Sequence, residues 1–571
     1  MRQKLILLIA PCLILLSSCD DFFDRDVSTR MDEETVFVNY KSATYIAAAV
    51  YADLPDGFAE IWATEGSAMM ASATDEAEFA IQTHNVQKFN TGSWLPSNLP
   101  DNPYSKYYEG IRKANNFLKN ADRINYDGVK YDPARPGEYE AQLADIEQWK
   151  VEMQLLRAYF LFELVKRFGG LPITNDIMYD EGSDFSTTER KTLQECVDDI
   201  VKWCDYAAER LPAVQDATTN LGRLTSGAAK AIKSQVLLYA ASDLWNDPSW
   251  AEGYANPLLI SLPAGDRNAR WKAAADAAKA VIDMEGEAGY GLDTHENLFN
   301  ASNFRSKEVI FCRRAGVSNT FEKVNLPIGF DLVTGGNCPS QNLVDAFQVK
   351  DGETAVDFDW NNPAHTANPY ANRDSRLNTF IVQNNTSFKG RNIECWTGGR
   401  DGAGVRNATP TGYYLKKYVD SSLDLMTNKT SVHSWILIRL SEIYLNYIEA
   451  LNEYSPGHAD IKTYYDKIRS RAEMPGLAEG LSQEQVRHLI RQERFVELCF
   501  EGKRWFDLRR WMQGDKLGEP LRAVEITREG EDFSYRPFDF ENRVFSKKMY
   551  FYPIPQGELN KLPHWAQNPL W

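Results

Sequence analysis

The sequence predicts a mainly α fold, a tetratricopeptide-like scaffold of paired helices that carries a loop-rich lobe with short strands. Three observations predict it. Apolar residues recur at three- to four-residue spacing through most of the chain. Small residues punctuate those stretches, among them Ala228, Ala229, Ala231, Ala240, Ala274, Ala277 and Ala278, and let neighbouring helix axes approach closely. Between about Asn300 and Thr430 this pattern gives way to Gly, Asn, Pro and aromatic residues.

The chain opens with Arg2 and Lys4, an apolar run from Leu5 to Leu16, two serines and Cys19. That is the layout of an export signal, and the run is too short for the roughly 20 residues of a membrane-spanning helix. Leu16-Ser17-Ser18-Cys19 is similar to a bacterial lipobox, in which the cysteine thiol is acylated and becomes the new N-terminus. Residues 1–18 are therefore expected to be a lipoprotein signal peptide and 19–36 a tether lipidated at Cys19.

From there, residues 37–299 read as a helical-repeat region. YSKYYEGIRKANNFLKNADRI, starting at Tyr104, places Tyr108, Ile111 and Leu118 in register. EQWKVEMQLLRAYFLFELVKRFGG aligns Trp149, Met153, Leu156 and Leu164, and its helix should stop at Gly169-Gly170. TLQECVDDIVKWCDYAAERL, GRLTSGAAKAIKSQVLLYAASDLW and ARWKAAADAAKAVIDM give three further amphipathic helices. Residues 300–571 hold the loop-rich lobe and then closing helices. ILIRLSEIYLNYIEALNEY reads as one helix from Ile436, and Ser482 with Gln485 forms a capping box for another running to about Phe500. The chain ends in extended, proline-broken sequence. No stretch resembles an interdomain linker, which predicts one rigid body.

Net charge is −17 and no basic run occurs, which argues against nucleic acid as a partner. Beyond Cys12 and Cys19, six cysteines remain: Cys196, Cys204, Cys312, Cys338, Cys395 and Cys499. They contain no CxxC pair and read as buried free thiols. The seven histidines are scattered, so zinc has no support. DFDWNN at Asp357 offers alternating ligands of a calcium loop, but Asn362 stands where the turn glycine belongs and Asn368 where the bidentate glutamate belongs. No metal and no cofactor are expected.

In order along the chain come CDDFFDRD, YYEGIRKANNFL, LLRAYFLFELVKRFGGLPI, GRLTSGAAKAIKSQVLLYAAS, PSQNLVDAFQVKDG, NPYANRDSRL, IRLSEIYLNYIEALNE, RQERFVELCFEGKRWFDLRRW and YPIPQGELNKLPHWAQNPLW. Placed after a lipobox, this series resembles the SusD/RagB family of outer-membrane nutrient-binding lipoproteins, over nearly the whole mature chain. Leu570 departs from the resemblance, since relatives often close the chain with glycine there.

The resemblance implies a SusD-like fold and a surface-exposed, lipid-anchored protein of the cell outer membrane. It further implies a non-catalytic function, the capture of oligosaccharides for a SusC-like TonB-dependent transporter. Asp20 and Asp21, just after the cysteine, would act as the surface-export signal. Oligopeptide capture is the alternative within the family. A surface glycosidase would need two carboxylates about 5 to 10 Å apart, and no nucleophile motif supports one. A scaffold that only holds partners is compatible with helical repeats.

The charges of RQERFVELCFEGKRWFDLRRW alternate with apolar residues at helical spacing and predict a structural ion network, involving Arg494, Glu497, Glu501, Asp507 and Arg510. Ligand contact should come from loop aromatics beside polar side chains, because a sugar offers an apolar CH face and hydroxyls. Trp149, Trp203, Trp271, Trp435, Trp505 and Trp511 lie in helical or apolar contexts and are expected in the core. Trp94 with Asn90, Asn98 and Asp101 forms one candidate group. Asp75, Glu76 and Glu78 lie just upstream, on what reads as an acidic helix start. A second group is Phe388, Arg391, Asn392, Glu394 and Trp396, and a third is Phe330 with Asn337. The expected ligand-binding residues are Trp94, Asn98, Asp75, Arg391, Glu394 and Trp396.

Overall fold

The computed structural model describes residues 37–178, 182–216 and 218–571. Cys19 and the preceding signal segment lie outside the described residues. Among the described residues the long helices of the first part are α1 (Tyr40–Tyr51), α2 (Tyr104–Asn120), α3 (Glu138–Phe168), α4 (Leu193–Ala208), α5 (Ser226–Ala241) and α6 (Arg267–Ile282). From α2 onward each packs against the next, and α1 lies on α2 and α3.

The central helix is α3, which is buried on nearly every side from Val151 to Phe168; its sequence there is mainly apolar, with Glu152, Arg157, Glu163 and Arg167 buried among the rest. It ends at Gly169, where φ is 74° and an added Cβ would meet the Leu259 carbonyl oxygen at 2.3 Å. Only glycine fits that turn.

Short strands follow. β1 (Ala77–Phe79) pairs with β3 (Asn337–Pro339), and β2 (Val309–Ser318) pairs with β4 (Ser431–Arg439), both antiparallel. The second pair corrects one expectation: Ile436–Arg439 is strand, and the helix α7 begins only at Leu440 (Leu440–Tyr454). Apolar residues buried on both faces read alike in a strand and a helix, and pairing with β2 decided between them.

Beyond α7 come α8 (Ala459–Arg471), α9 (Gln483–Glu497) and α10 (Arg504–Arg510), with the Ser482/Gln485 capping box in place. The terminal segment contains a long hairpin of β5 (Leu521–Glu529) and β6 (Asp532–Glu541). Near its end Leu570 adopts φ 67°, the left-handed conformation that explains a preference for glycine at that position.

The six cysteines outside the leader are buried and free. Of the tryptophans assigned to the core, Trp149, Trp435, Trp505 and Trp511 are buried, whereas Trp203 and Trp271 are only partly so.

The charged motif forms a buried ion network. Glu497 receives Arg439 at 2.6 Å, Arg376 at 2.8 Å, His295 at 3.3 Å and a further bond from Arg471. Arg439 also reaches Glu308 at 2.8 Å and Glu501 at 2.7 Å, while Lys417 holds Glu501 at 2.7 Å. Arg510 bridges Glu449 and Asp507, and Arg494 takes the other oxygen of Asp507. Burial acts to raise the Glu501 carboxyl, but Arg439 and then Lys417 outweigh it and hold it at about 2.

Removing one partner of such a set leaves charges without compensation. Arg439→Met is expected to cost about 3–5 kcal/mol of stability, measured by urea unfolding. A loss below about 1 kcal/mol would mean that the network is not needed for the fold.

Candidate functional site

The structure separates the sequence-predicted residues into three environments. Trp94 has no exposed surface: its ring packs on Phe89, Tyr552 and Trp571, with centroids 4.8–5.0 Å apart. This corrects its expected role, because the carboxy-terminal segment covers the loop that carries it. Asn90 is also buried, and Asp101 is buried against Arg167 at 2.7 Å and the Tyr552 hydroxyl at 3.1 Å. Only Asn98 of this group is exposed.

The acidic group is not a helix start. Glu78 lies within β1 and Glu76 just before it, both buried, and Asp75 forms a paired bond with Arg504 at 2.6 and 2.9 Å. Asp75 therefore ties the first half of the chain to α10.

The second environment is the loop that carries Arg391. Its guanidinium grips buried Asp401 at 2.6 and 2.7 Å and lies 4.2 Å from the Phe330 ring centre. Asp401 also accepts from the backbone N–H groups of Gly329 and Glu394, both at 2.9 Å. Glu394 in turn accepts from the Arg400 N–H at 3.1 Å. Arg391 and Glu394 are thus committed to holding their own loop. Trp396 is half-buried against Phe533, at 5.4 Å, with the Arg528 guanidinium 5.1 Å from its ring. Phe388 and Asn337 are buried, Phe330 is half-buried, and Asn392 is exposed.

The third environment is one that the sequence reading missed. Trp62 is 66% exposed, the most open tryptophan among the described residues. Its loop is closed by two backbone bonds between Ile61 and Ala68, at 3.0 and 2.9 Å. At Gly66, φ 123°, the loop rests on Val324. The Asn85 side chain donates to the Trp62 carbonyl at 3.0 Å.

Lys88 then donates to Asn85 at 3.0 Å and to Asn98 at 2.8 Å, which brings the predicted Asn98 to the rim of the same site. A second pinned turn, Leu95 to Asn98, supplies exposed Leu95. Between these loops and the start of α2 lies a groove of about 400 Å³, lined by Trp62, Asn85, Leu99, Asn102, Lys106 and Tyr107 among others. That volume falls in the range of small-molecule sites, roughly 300–1,000 Å³. No local signal marks Trp62: Phe58 and Ala59 stand at helical spacing before it, as they would for a core residue.

A hollow of about 750 Å³ between His295 and Ser422 is larger, but its rings, Phe299, Phe388 and Tyr418, are buried. Among the described residues no three His, Cys, Asp or Glu side chains converge as a metal site requires.

Residues 308–571 match the model of the SusD family, and residues 21–238 match a second model described as "Starch-binding associating with outer membrane". The chain is a member of the SusD/RagB family. A SusD-like protein of Formosa agariphila is 23% identical over 424 residues, 72% of each chain. A SusD-like protein of Bacteroides fragilis superposes with a TM-score of 0.75 at 23% identity, over 94% of this chain and 98% of that one. A SusD-like carbohydrate-binding protein from the same species gives 0.73 at 19% identity, over 93% and 100%. Surface glycan-binding protein A of Bacteroides uniformis gives 0.62 at 17% identity, over 93% and 99%. The SusD fold of paired helices with a loop-rich lobe is thereby established. Its family name carries the association with the outer membrane, and no helix among the described residues is long and apolar enough to cross a membrane.

Burial, and then the neighbouring Asp75 carboxylate, push the Glu76 carboxyl up to about 8. Folding therefore takes up a proton at Glu76. The resulting stability is complete below the ordinary glutamate value, about 4.3, and is lost as pH rises through about 8. Glu76→Gln should flatten the stability profile across that window, measured as melting temperature at pH 5, 7 and 9. An unchanged slope would place the carboxylate in an ionised state throughout.

Proposed function

We propose that this SusD-family protein is a non-catalytic surface lipoprotein that captures oligosaccharides and passes them to a SusC-like TonB-dependent transporter. The observation that carries this reading is the Trp62 ring, held open to solvent on a loop fixed at both ends, beside Asn85, Asn98 and Lys88. An indole face stacks on the CH surface of a sugar, and amides and an ammonium reach its hydroxyls. Because the two loops are pinned by backbone bonds, the platform loses little freedom when ligand arrives. Trp396, with Phe533 and Arg528, offers a further half-open ring in the loop-rich lobe.

One feature favours binding over hydrolysis. The groove carboxylates are held by arginines, Asp56 by Arg313 at 2.9 Å and both Glu60 and Asp101 by Arg167. Burial pushes the Glu60 carboxyl up to about 7, so a proton is available there, but the other two carboxylates, Asp56 and Asp101, are both held by arginines and neither stands free as base or nucleophile. The lipobox ending at Cys19 and the acidic pair Asp20 and Asp21 support a lipid-anchored, surface-exposed location.

Trp62→Ala should weaken oligosaccharide binding by at least about tenfold in calorimetric titration, the scale of one lost stacking contact, with the melting temperature unchanged. Heat from a peptide pool alone would replace sugars by peptides as the cargo, and release of reducing sugar by the pure protein would make it an enzyme. Cys19→Ala should move the protein from the membrane fraction to the soluble fraction, read by immunoblot after fractionation. Retention in the membrane would remove the lipid anchor from this account.

A further inference from the structure

The polar rim of the Trp62 groove carries an imbalance of charge. Each groove carboxylate already has a cation: Asp56 has Arg313, and Glu60 and Asp101 share Arg167. Two lysines, Lys106 in the groove lining and Lys88 beside it on Asn85, have no carboxylate partner within ion-pair distance among the described residues. The Lys88 ammonium donates only to the side-chain oxygens of Asn85 and Asn98, and the Lys106 ammonium donates to the Leu54 carbonyl at 3.1 Å. Asp53, close to Lys106, is occupied by Lys113 at 2.8 Å. Both lysines are therefore held by neutral oxygens in a protein whose net charge is −17.

We infer that the groove selects acidic saccharides, with a carboxylate or sulfate ester of the sugar bound by Lys88 and Lys106 while a ring stacks on Trp62. This rests on the reading of the groove as a glycan site and names the class of glycan. The neutral partners of Lys88 orient its ammonium without cancelling its charge. An incoming anion then gains a charge-assisted hydrogen bond and displaces no ion pair. Burial, and next the nearby Arg313, lower the Lys106 ammonium from its ordinary value, and an anion in the groove would reverse that shift. Glu65, on the Trp62 loop, is exposed, and solvent screens its charge.

The test uses the full chain from Cys19 onward in detergent micelles. Three hexasaccharides with one backbone serve as probes: a sulfated chondroitin, its desulfated form, which keeps the uronic carboxylates, and a desulfated, carboxyl-reduced form that is neutral. A second matched pair is an oligogalacturonate and its methyl ester.

Affinity should be at least about tenfold higher for an acidic member than for its neutral counterpart. This preference should shrink between about 20 mM and about 0.3 M salt, where screening is strong. In Lys88→Gln the ratio of acidic to neutral affinity should fall towards one, and Lys106→Gln should lower it from the other side of the groove. The desulfated probe distinguishes carboxylate from sulfate as the anion bound. Equal affinities for acidic and neutral members, still abolished by Trp62→Ala, would overturn the acidic preference and leave glycan capture standing. Absence of binding to every probe by a protein with normal melting would remove the glycan reading and this inference together.

Discussion

The buried carboxylate of Glu497 is the constraint on which the rest of the fold depends. It lies at the end of α9, has no exposed surface, and gathers Arg376 from the loop-rich lobe, Arg439 from the end of β4, Arg471 from the end of α8, and His295. A buried charge is tolerated only when its compensation is complete, so each of these segments must arrive together. Arg439 then extends the set to Glu308 at the start of β2, and Lys417 brings in the middle of the lobe. Long insertions can therefore separate the helices in sequence while their packing stays specified.

That rigid interior explains how loops without regular structure can present a site. Asp75, near the first candidate residues, is pinned to Arg504 of α10, and the loop around Arg391 is pinned through Asp401. The Trp62 loop and the Leu95–Asn98 turn are each closed by backbone bonds. Binding on such a surface does not first have to order the chain. Charge is treated differently inside and at the rim. Within the core every carboxylate at Glu497 and Glu501 meets an arginine or lysine, whereas at the groove the lysines meet amides and a carbonyl. The first arrangement fixes the fold, and the second leaves charge available to a ligand.

Trp94 and Trp62 illustrate how far local sequence reaches. Trp94 follows Gly92 and Ser93, Trp62 precedes Ala63 and Thr64, and nothing within a few residues of either tells them apart. Trp94 is enclosed by Tyr552 and Trp571, more than four hundred residues later in the chain, while among the described residues no such segment covers Trp62. Arg391 and Glu394 were legible as a polar cluster beside rings, yet their partners Asp401 and Arg400 turned them inward to support the loop. Asn98 was both legible and exposed, because a turn residue followed by proline-rich sequence has little to bury it.

The sequence by itself determined most of the long helices, the stop at Gly169, the Ser482 cap, the free thiols and the ionic character of the Arg491–Arg510 segment, since these follow from spacing within a few turns of chain. Tertiary structure alone decided that Ile436–Arg439 is a strand, that Glu76 and Glu78 are buried, and that Trp62 rather than Trp94 faces solvent. The physical reason is common to all three. Exposure and strand pairing depend on what distant segments cover, and a local pattern records a residue's preference for burial without recording what will bury it.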